Sequence, residues 1–287
     1  MSHEIHQIQN SMTIGSHDRA HKDYLSGKKL YGDDFGPEEL KNWYEDEELG
    51  YYNLVHDSSD DETEYAYGYS ALNEHYAYRF IRDKHYHRAL TLGCARGDDV
   101  EPISKNVGEF LALEPAEKWW RPTIGEASAN FVKPEVSGDI ICKTGSIDLT
   151  VCLGVLHHIP NVTHVINEIA RVSKSGAIFV LREPVSTMGD WNNPRRGLTK
   201  NERGFPLSWL DDTLTRAGFE AEHRALCMFP ATPRIGSLLK VSAYARRDLV
   251  ILDKLFSTVT RWNYHYHRDK PFKKIAPANV FYVLRKK

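Results

Sequence analysis

From residue 70 onward the apolar positions fall into two alternating rhythms. Leu72, Tyr76 and Phe80 recur at four-residue steps with Ala77 and Ile81 beside them, and Ser70 is suited to the N-cap, so the spacing predicts a helix running toward Asp83. Ala89-Leu90-Thr91-Leu92, Phe110-Leu111-Ala112-Leu113 and residues 147–153 are continuous apolar runs of strand length. Val162, Val165, Ile166, Ile169 and Val172 then share one helical face over 161–175, with Gly176 as the expected stop, and 177–181 is a further apolar strand. A helix at 208–217 closed by Gly218 and strands at 219–228 and 279–284 complete the series. Leu252, Leu255, Phe256 and Val259 predict a helix between those last two strands. Apolar strands alternating with amphipathic helices predict an α/β fold, a parallel sheet covered on both faces.

The first third of the chain lacks this rhythm. Residues 1–24 are polar and carry His3, His6, His17 and His21 without helical spacing, which reads as a flexible tail and not a metal site. Residues 25–83 read as an N-terminal cap or lid, with Trp43, Tyr44, Tyr51 and Tyr52 among acidic residues and an acidic loop at 57–64. Residues 84–287 then form the main domain, with a long loop at 184–206 and a helical insertion at 231–275. The 41% apolar and 26% charged content of the 287 residues excludes a disordered chain. Lys plus Arg (37) nearly balances Asp plus Glu (39), so no global field attracts nucleic acid. The absence of an apolar run of about 20 residues predicts no transmembrane segment. The start, Met1-Ser2-His3-Glu4, has no signal-peptide blocks, and a cytoplasmic location is expected. Cys94, Cys142, Cys152 and Cys227 have neither CxxC nor zinc-like spacing, so they read as reduced packing residues; no spacing in the chain specifies a metal site, and metal dependence is left open. Homo-oligomerisation is left open.

The candidate chemistry lies at the carboxyl ends of the predicted strands, where open α/β sheets bind ligands. The turn Gly93-Cys94-Ala95-Arg96-Gly97 follows the first strand, with neither the GxGxxG of dinucleotide enzymes nor a following GK[ST]. Glu114 ends the second strand, where a carboxylate can accept both vicinal hydroxyls of a ribose. His157 and His158 follow the third strand and Glu183 ends the next, so neighbouring parallel strands bring imidazole and carboxylate together.

The segments 91–97, Leu113-Glu114-Pro115, 146–160 and 176–184 resemble, in order and spacing, the motifs of class I S-adenosylmethionine-dependent methyltransferases. The resemblance covers about 90–183. It implies a Rossmann-like, seven-stranded, mostly parallel sheet with helices on both faces and an antiparallel last strand. It also implies that Gly93, Cys94, Ala95 and Gly97 contact the methionine moiety of the cofactor and that Glu114, followed by Pro115, binds the ribose. Leu153, Gly154 and Val155 would flank the sulfonium, and Gly138-Asp139 is the nearest match to the adenine loop. Thr91 stands where the family usually has an acid. Ala95 replaces the middle glycine and is expected at negative φ.

His157, His158 and Glu183 are similar to the histidine and acid used by sugar O-methyltransferases in this superfamily. The loop at 184–206 offers Arg195, Arg196 and Arg203 for phosphate or carboxylate and Trp191 as a stacking face. Tyr69 and Asn73, with Tyr65 and Tyr67, add hydroxyl and amide groups. The expected activity is methyl transfer from S-adenosylmethionine to a hydroxyl of a nucleotide-linked sugar or glycan. The later part of the chain resembles enzymes of surface glycan and polysaccharide assembly. A small natural-product or amine acceptor, and a regulatory module that binds the cofactor without turnover, are the alternatives.

Overall fold

A computed structural model describes residues 21–56, 67–193, 195 and 197–287. The tail 1–20, the acidic loop, Tyr65 and Arg196 lie outside them. After a helical segment at 21–26, helix α1 spans Pro37–His56. Helix α2 is assembled from Ser70–Asn73, a wider π turn over Glu74–Tyr78, and Arg79–Ile81. Tyr69 occupies its N-cap position without a side-chain hydrogen bond, so Ser70 is not the cap. The π turn shifts the helical register, so Leu72, Tyr76 and Ile81 are buried while Phe80 turns out to 45% exposure.

Strands β1 (Tyr86–Leu92), β2 (Val107–Leu113), β3 (Thr123–Ile124), β4 (Ala127–Val132), β5 (Ile147–Leu153), β6 (Ser173–Pro184), β7 (Phe219–Cys227) and β8 (Asn279–Lys286) form one sheet of order β3-β4-β2-β1-β5-β6-β8-β7. The expected seven becomes eight because the two-residue β3 pairs antiparallel with β4 at the edge. β4, β2, β1, β5 and β6 run parallel, whereas β8 is antiparallel to both β6 and β7. Helix α3 (Val162–Val172) stops at Ser173, whose hydroxyl donates back to the Ile169 carbonyl at 2.7 Å. Gly176 therefore is not the helix stop. It sits inside β6 at φ +79°, where the β5–β6 register shifts.

Side chains alternate between two cores, one on each face of the sheet. Tyr76, Phe110, Val151, Val180 and Phe281 fill one. Leu90, Leu111, Cys152, Phe179, Leu181 and the inner face of α3 fill the other. Helix α4 (Leu207–Arg216) leads into β7. Helices α5 (Thr232–Leu238) and α6 (Arg247–Thr260) occupy the connection from β7 to β8. Asp253 of α6 ties this connection to the sheet, accepting from the Met228 and Phe229 amides at 2.8 Å each and the Thr232 hydroxyl at 2.7 Å. Asp253→Asn keeps the shape but loses acceptor capacity, and it is expected to cost about 1–2 kcal/mol by urea unfolding. Among the described residues no helix is long and apolar enough to cross a membrane.

Candidate active site

The turn after β1 is built from left-handed residues: Gly93 at φ +56°, Ala95 at +47° and Gly97 at +88°. A Cβ on Gly93 would lie 2.8 Å from Val155 Cγ2, so this turn and the one after β5 are in direct contact. Ala95 does not take the expected negative φ. Its amide donates to Glu114 Oε2 at 2.8 Å, and that bond holds the residue where an L side chain is strained. Ala95→Gly removes the strain and adds unfolded-chain entropy. A net gain of about 0.5–1 kcal/mol, or roughly 1–3 °C by calorimetry, is expected.

Glu114 is 5% exposed, and its other oxygen accepts from the Ala116 amide at 2.9 Å. Burial raises its carboxyl while the two amides oppose the rise. Each oxygen retains an acceptor direction for a ribose hydroxyl. Pro115 beside it is exposed, and Trp120 Nε1 donates to the Glu114 carbonyl at 3.0 Å. Cys94 is buried and burial pushes its thiol up, so it is no thiolate nucleophile. Gly154 sits at φ +79° with its amide on the Arg182 carbonyl at 2.7 Å. Gly138 and the exposed Asp139 are tied instead to the start of α3. The Asp139 carboxylate pairs with His164 Nε2 at 2.8 Å and accepts from the Ser137 hydroxyl at 2.8 Å.

Glu183 is fully buried and pins the loop after β5. Its Oε1 accepts from the Val155 and Leu156 amides at 2.9 and 2.8 Å, and its Oε2 meets His157 Nδ1 at 2.8 Å. The expected imidazole–carboxylate pair is therefore formed, with a second acid added from the long loop: Glu202 lies 3.5 Å from His157 Nε2. Burial pulls the His157 imidazole down, but hydrogen bonds to Glu183 and Glu202 outweigh it and raise it to about 9. Both ring nitrogens then carry hydrogen at neutral pH. His158 faces α1, where Glu47 Oε2 lies 2.9 Å from its Nδ1 and Trp43 Nε1 donates to its carbonyl at 2.8 Å.

A cavity of about 360 Å³ joins Cys94, Leu153, Gly154 and His157 to Tyr67, Tyr69, Asp98, Asp99, Arg182, Pro184, Met188, Met228 and Asn279. Met188 and Met228 hold left-handed backbones, φ +59° and +64°, in its wall. Arg182 is 6% exposed; it donates to Asn73 Oδ1 at 3.1 Å and the Leu153 carbonyl at 3.2 Å, with its guanidinium 4.4 Å from the Tyr69 ring centre. Asn73 is fully buried and donates to the Tyr67 hydroxyl at 2.8 Å, so it supports the wall through its neighbours. Asp99 is 8% exposed and its Oδ1 has no hydrogen-bond partner among the described residues. Burial raises its carboxyl to about 7, against Arg182 and the amides of Asp99 and Val100. Sequence reasoning missed Asp99, Arg182 and Glu202. Only the strand-end position of Arg182 and the place of Asp99 just past the turn were readable signals.

The loop at 184–206 does not present the groups expected of it. Trp191 is 8% exposed and stacked on Tyr31 with centroids 4.7 Å apart. Arg195 donates to the carbonyls of Glu202 at 2.6 Å, Lys200 at 2.8 Å and Thr199 at 3.0 Å. Arg203 is fully buried and donates to the Tyr31, Leu156, Ile159 and Pro160 carbonyls. These side chains fold the loop against α1 and the β5 turn, which leaves no free planar fork for a ligand at Arg195 or Arg203.

Residues 90–181 match the family model described as "Methyltransferase domain". No curated protein matches the chain. Among solved structures, the chain is similar to an S-adenosylmethionine-dependent methyltransferase of Mesorhizobium loti, at 16% identity over 71% of this chain and 92% of that one. The TM-score is 0.47. It is also similar to an S-adenosylmethionine-dependent methyltransferase of Thermotoga maritima, at 15% identity over 86% of this chain and 100% of that one, with TM-score 0.45. The match over residues 90–181 is to a methyltransferase domain, with S-adenosylmethionine as its cofactor.

Proposed function

We propose that the chain methylates a hydroxyl of a small polyhydroxylated acceptor of the sugar type, seated in the cavity beside Gly154, with Asp99 taking the hydroxyl proton. When bound, S-adenosylmethionine supplies a methyl group on a sulfonium that departs as a neutral thioether. The turn at 93–97 would hold its methionine moiety and Glu114 its ribose, and Leu153 and Gly154 would border the reacting centre. The single observation that carries the reading is Asp99, a residue lining this cavity whose buried Oδ1 has no hydrogen-bond partner among the described residues.

Hydroxyl acceptors require a base that is ionised near neutral pH, and a carboxyl at about 7 meets that requirement. This moves the base away from His157, whose proton is held between two carboxylates. Glu183 becomes a positioning residue for the Val155–His157 turn. Tyr67, Tyr69, Arg182 and Asn279 supply the donors and ring faces that a polyhydroxylated acceptor uses. The test is S-adenosylhomocysteine formation against a panel of nucleotide sugars, free saccharides and amines, with product mass. A gain of 14 Da on a saccharide at oxygen is expected. Turnover confined to amines, or cofactor binding without product across the panel, overturns the reading.

A further inference from the structure

The side chains behind the β5 turn form a second assembly that methyl transfer to a hydroxyl does not require. His157, His158 and Glu202 each offer one ligand atom, all within 4.8 Å of one another. His157 Nε2 and Glu202 Oε1 are 3.5 Å apart, close to the edge of about 3.3 Å between ligands in a tetrahedral site with bonds near 2.0–2.1 Å. Each imidazole has a carboxylate on its Nδ1: Glu183 at 2.8 Å for His157 and Glu47 at 2.9 Å for His158. That is the outer-sphere arrangement that fixes the tautomer and orientation of metal-bound histidine, leaving Nε2 with the lone pair.

The charges point the same way. Glu47, Glu183 and Glu202 are each at most 8% exposed and converge on two imidazoles. The nearby Arg203 spends its donors on backbone carbonyls. Backbone amides already serve one oxygen of each acid, Val155 and Leu156 for Glu183, Thr199 for Glu202 and Asn201 for Glu47, and the oxygens left over are the ones that face the imidazoles, which favours a cation at their focus.

We infer that His157, His158 and Glu202 form a binding site for one divalent first-row transition cation, with Glu183 and Glu47 orienting the two imidazoles. Two nitrogens and one oxygen suit the zinc and cobalt class more than magnesium or calcium, which favour all-oxygen sets. Without a cation, a proton bridges the same groups through His157. The inference does not depend on the acceptor or on Asp99.

The full-length chain, stripped with chelator, is titrated with Co²⁺ and with Zn²⁺, followed by the cobalt d–d absorption and by calorimetry. One equivalent is expected, with the band intensity of a four- or five-coordinate site. Glu202→Gln is expected to weaken binding by about 100-fold, and Glu47→Gln, which leaves every ligand in place, by about 10–100-fold. Circular dichroism and the thermal midpoint establish that both variants are folded. A folded wild-type chain that takes up neither metal stoichiometrically at micromolar concentration overturns the proposal. Uptake unchanged in both folded variants also overturns it, because the metal then binds elsewhere.

Discussion

Asp99→Asn is expected to lower kcat/KM for a hydroxyl acceptor by about 10²–10⁴-fold while the affinity for S-adenosylhomocysteine stays within a few-fold of wild type. The amide is isosteric but cannot accept the proton. The wild-type rate should rise with pH through about 7 as the carboxyl ionises, and the variant should lose that limb. Burial sets the raised value, and the groups acting on Asp99 are Arg182, Asp98, Cys94, Tyr67 and Tyr78. Of these only the Arg182 guanidinium carries a positive charge, and it opposes the rise.

The linked stability change has the opposite sign. Folding raises this carboxyl above its unfolded value of 3.8, so the folded chain binds the extra proton and stability falls as pH rises from about 4 to about 7. Asp99→Asn should therefore be more stable than wild type above pH 7 and less active, the signature of a buried charge retained for chemistry. Stopped-assay kinetics across pH 5.5–8.5, paired with thermal melts, read both effects. A variant that keeps its rate removes Asp99 from the reaction, and one that loses cofactor affinity makes it a cofactor contact.

The sheet was readable where strands are continuously apolar. β1, β2, β5 and β8 each carry several buried branched or aromatic residues, and the alternation with α3 and α4 follows from periodicity. β4 was not readable, because Ala127-Ser128-Ala129-Asn130 has low strand propensity and is held by pairing with β2. The π turn in α2 was equally hidden, since four-residue spacing in the sequence does not record a widened turn.

In the site, the Gly93–Gly97 turn, Glu114 and the His157–Glu183 pair are consequences of strand order, so local sequence indicated them. The failures are long-range. Whether an arginine faces a ligand or a carbonyl depends on what the rest of the chain packs around it. Glu202 reaches His157, and Glu47 reaches His158, across 45 and 111 positions. No local spacing reports such pairings.

Arg203 is the clearest case, and it carries the second large effect. Arg203→Met is expected to destabilise the chain by about 3–5 kcal/mol, lowering the thermal midpoint by roughly 6–15 °C. Its guanidinium donates to the Leu156 carbonyl at 3.1 Å, Ile159 at 2.7 Å and Pro160 at 3.1 Å beyond β5, and to Tyr31 at 3.0 Å in the N-terminal segment. It also lies 5.3 and 5.1 Å from the ring centres of Trp43 and Phe205. Methionine fills much of the volume but removes the side-chain donor from the Tyr31 and Ile159 carbonyls, while Leu156 and Pro160 keep the amides of Ile159 and Val162, and each buried orphan costs about 1–3 kcal/mol. Burial lowers the guanidinium only to about 10, so the native side chain is charged at neutral pH and its full set of bonds is present. Arg203→Lys should recover less than half of the loss, because an ammonium cannot span four carbonyls arranged around a plane. Thermal melts of both variants, with the acceptor KM measured on the folded fraction, separate this role from the one its sequence position suggested. An anion contact in an open loop would leave the midpoint unchanged and raise KM several-fold, and that result would remove Arg203 from the scaffold of the β5 turn.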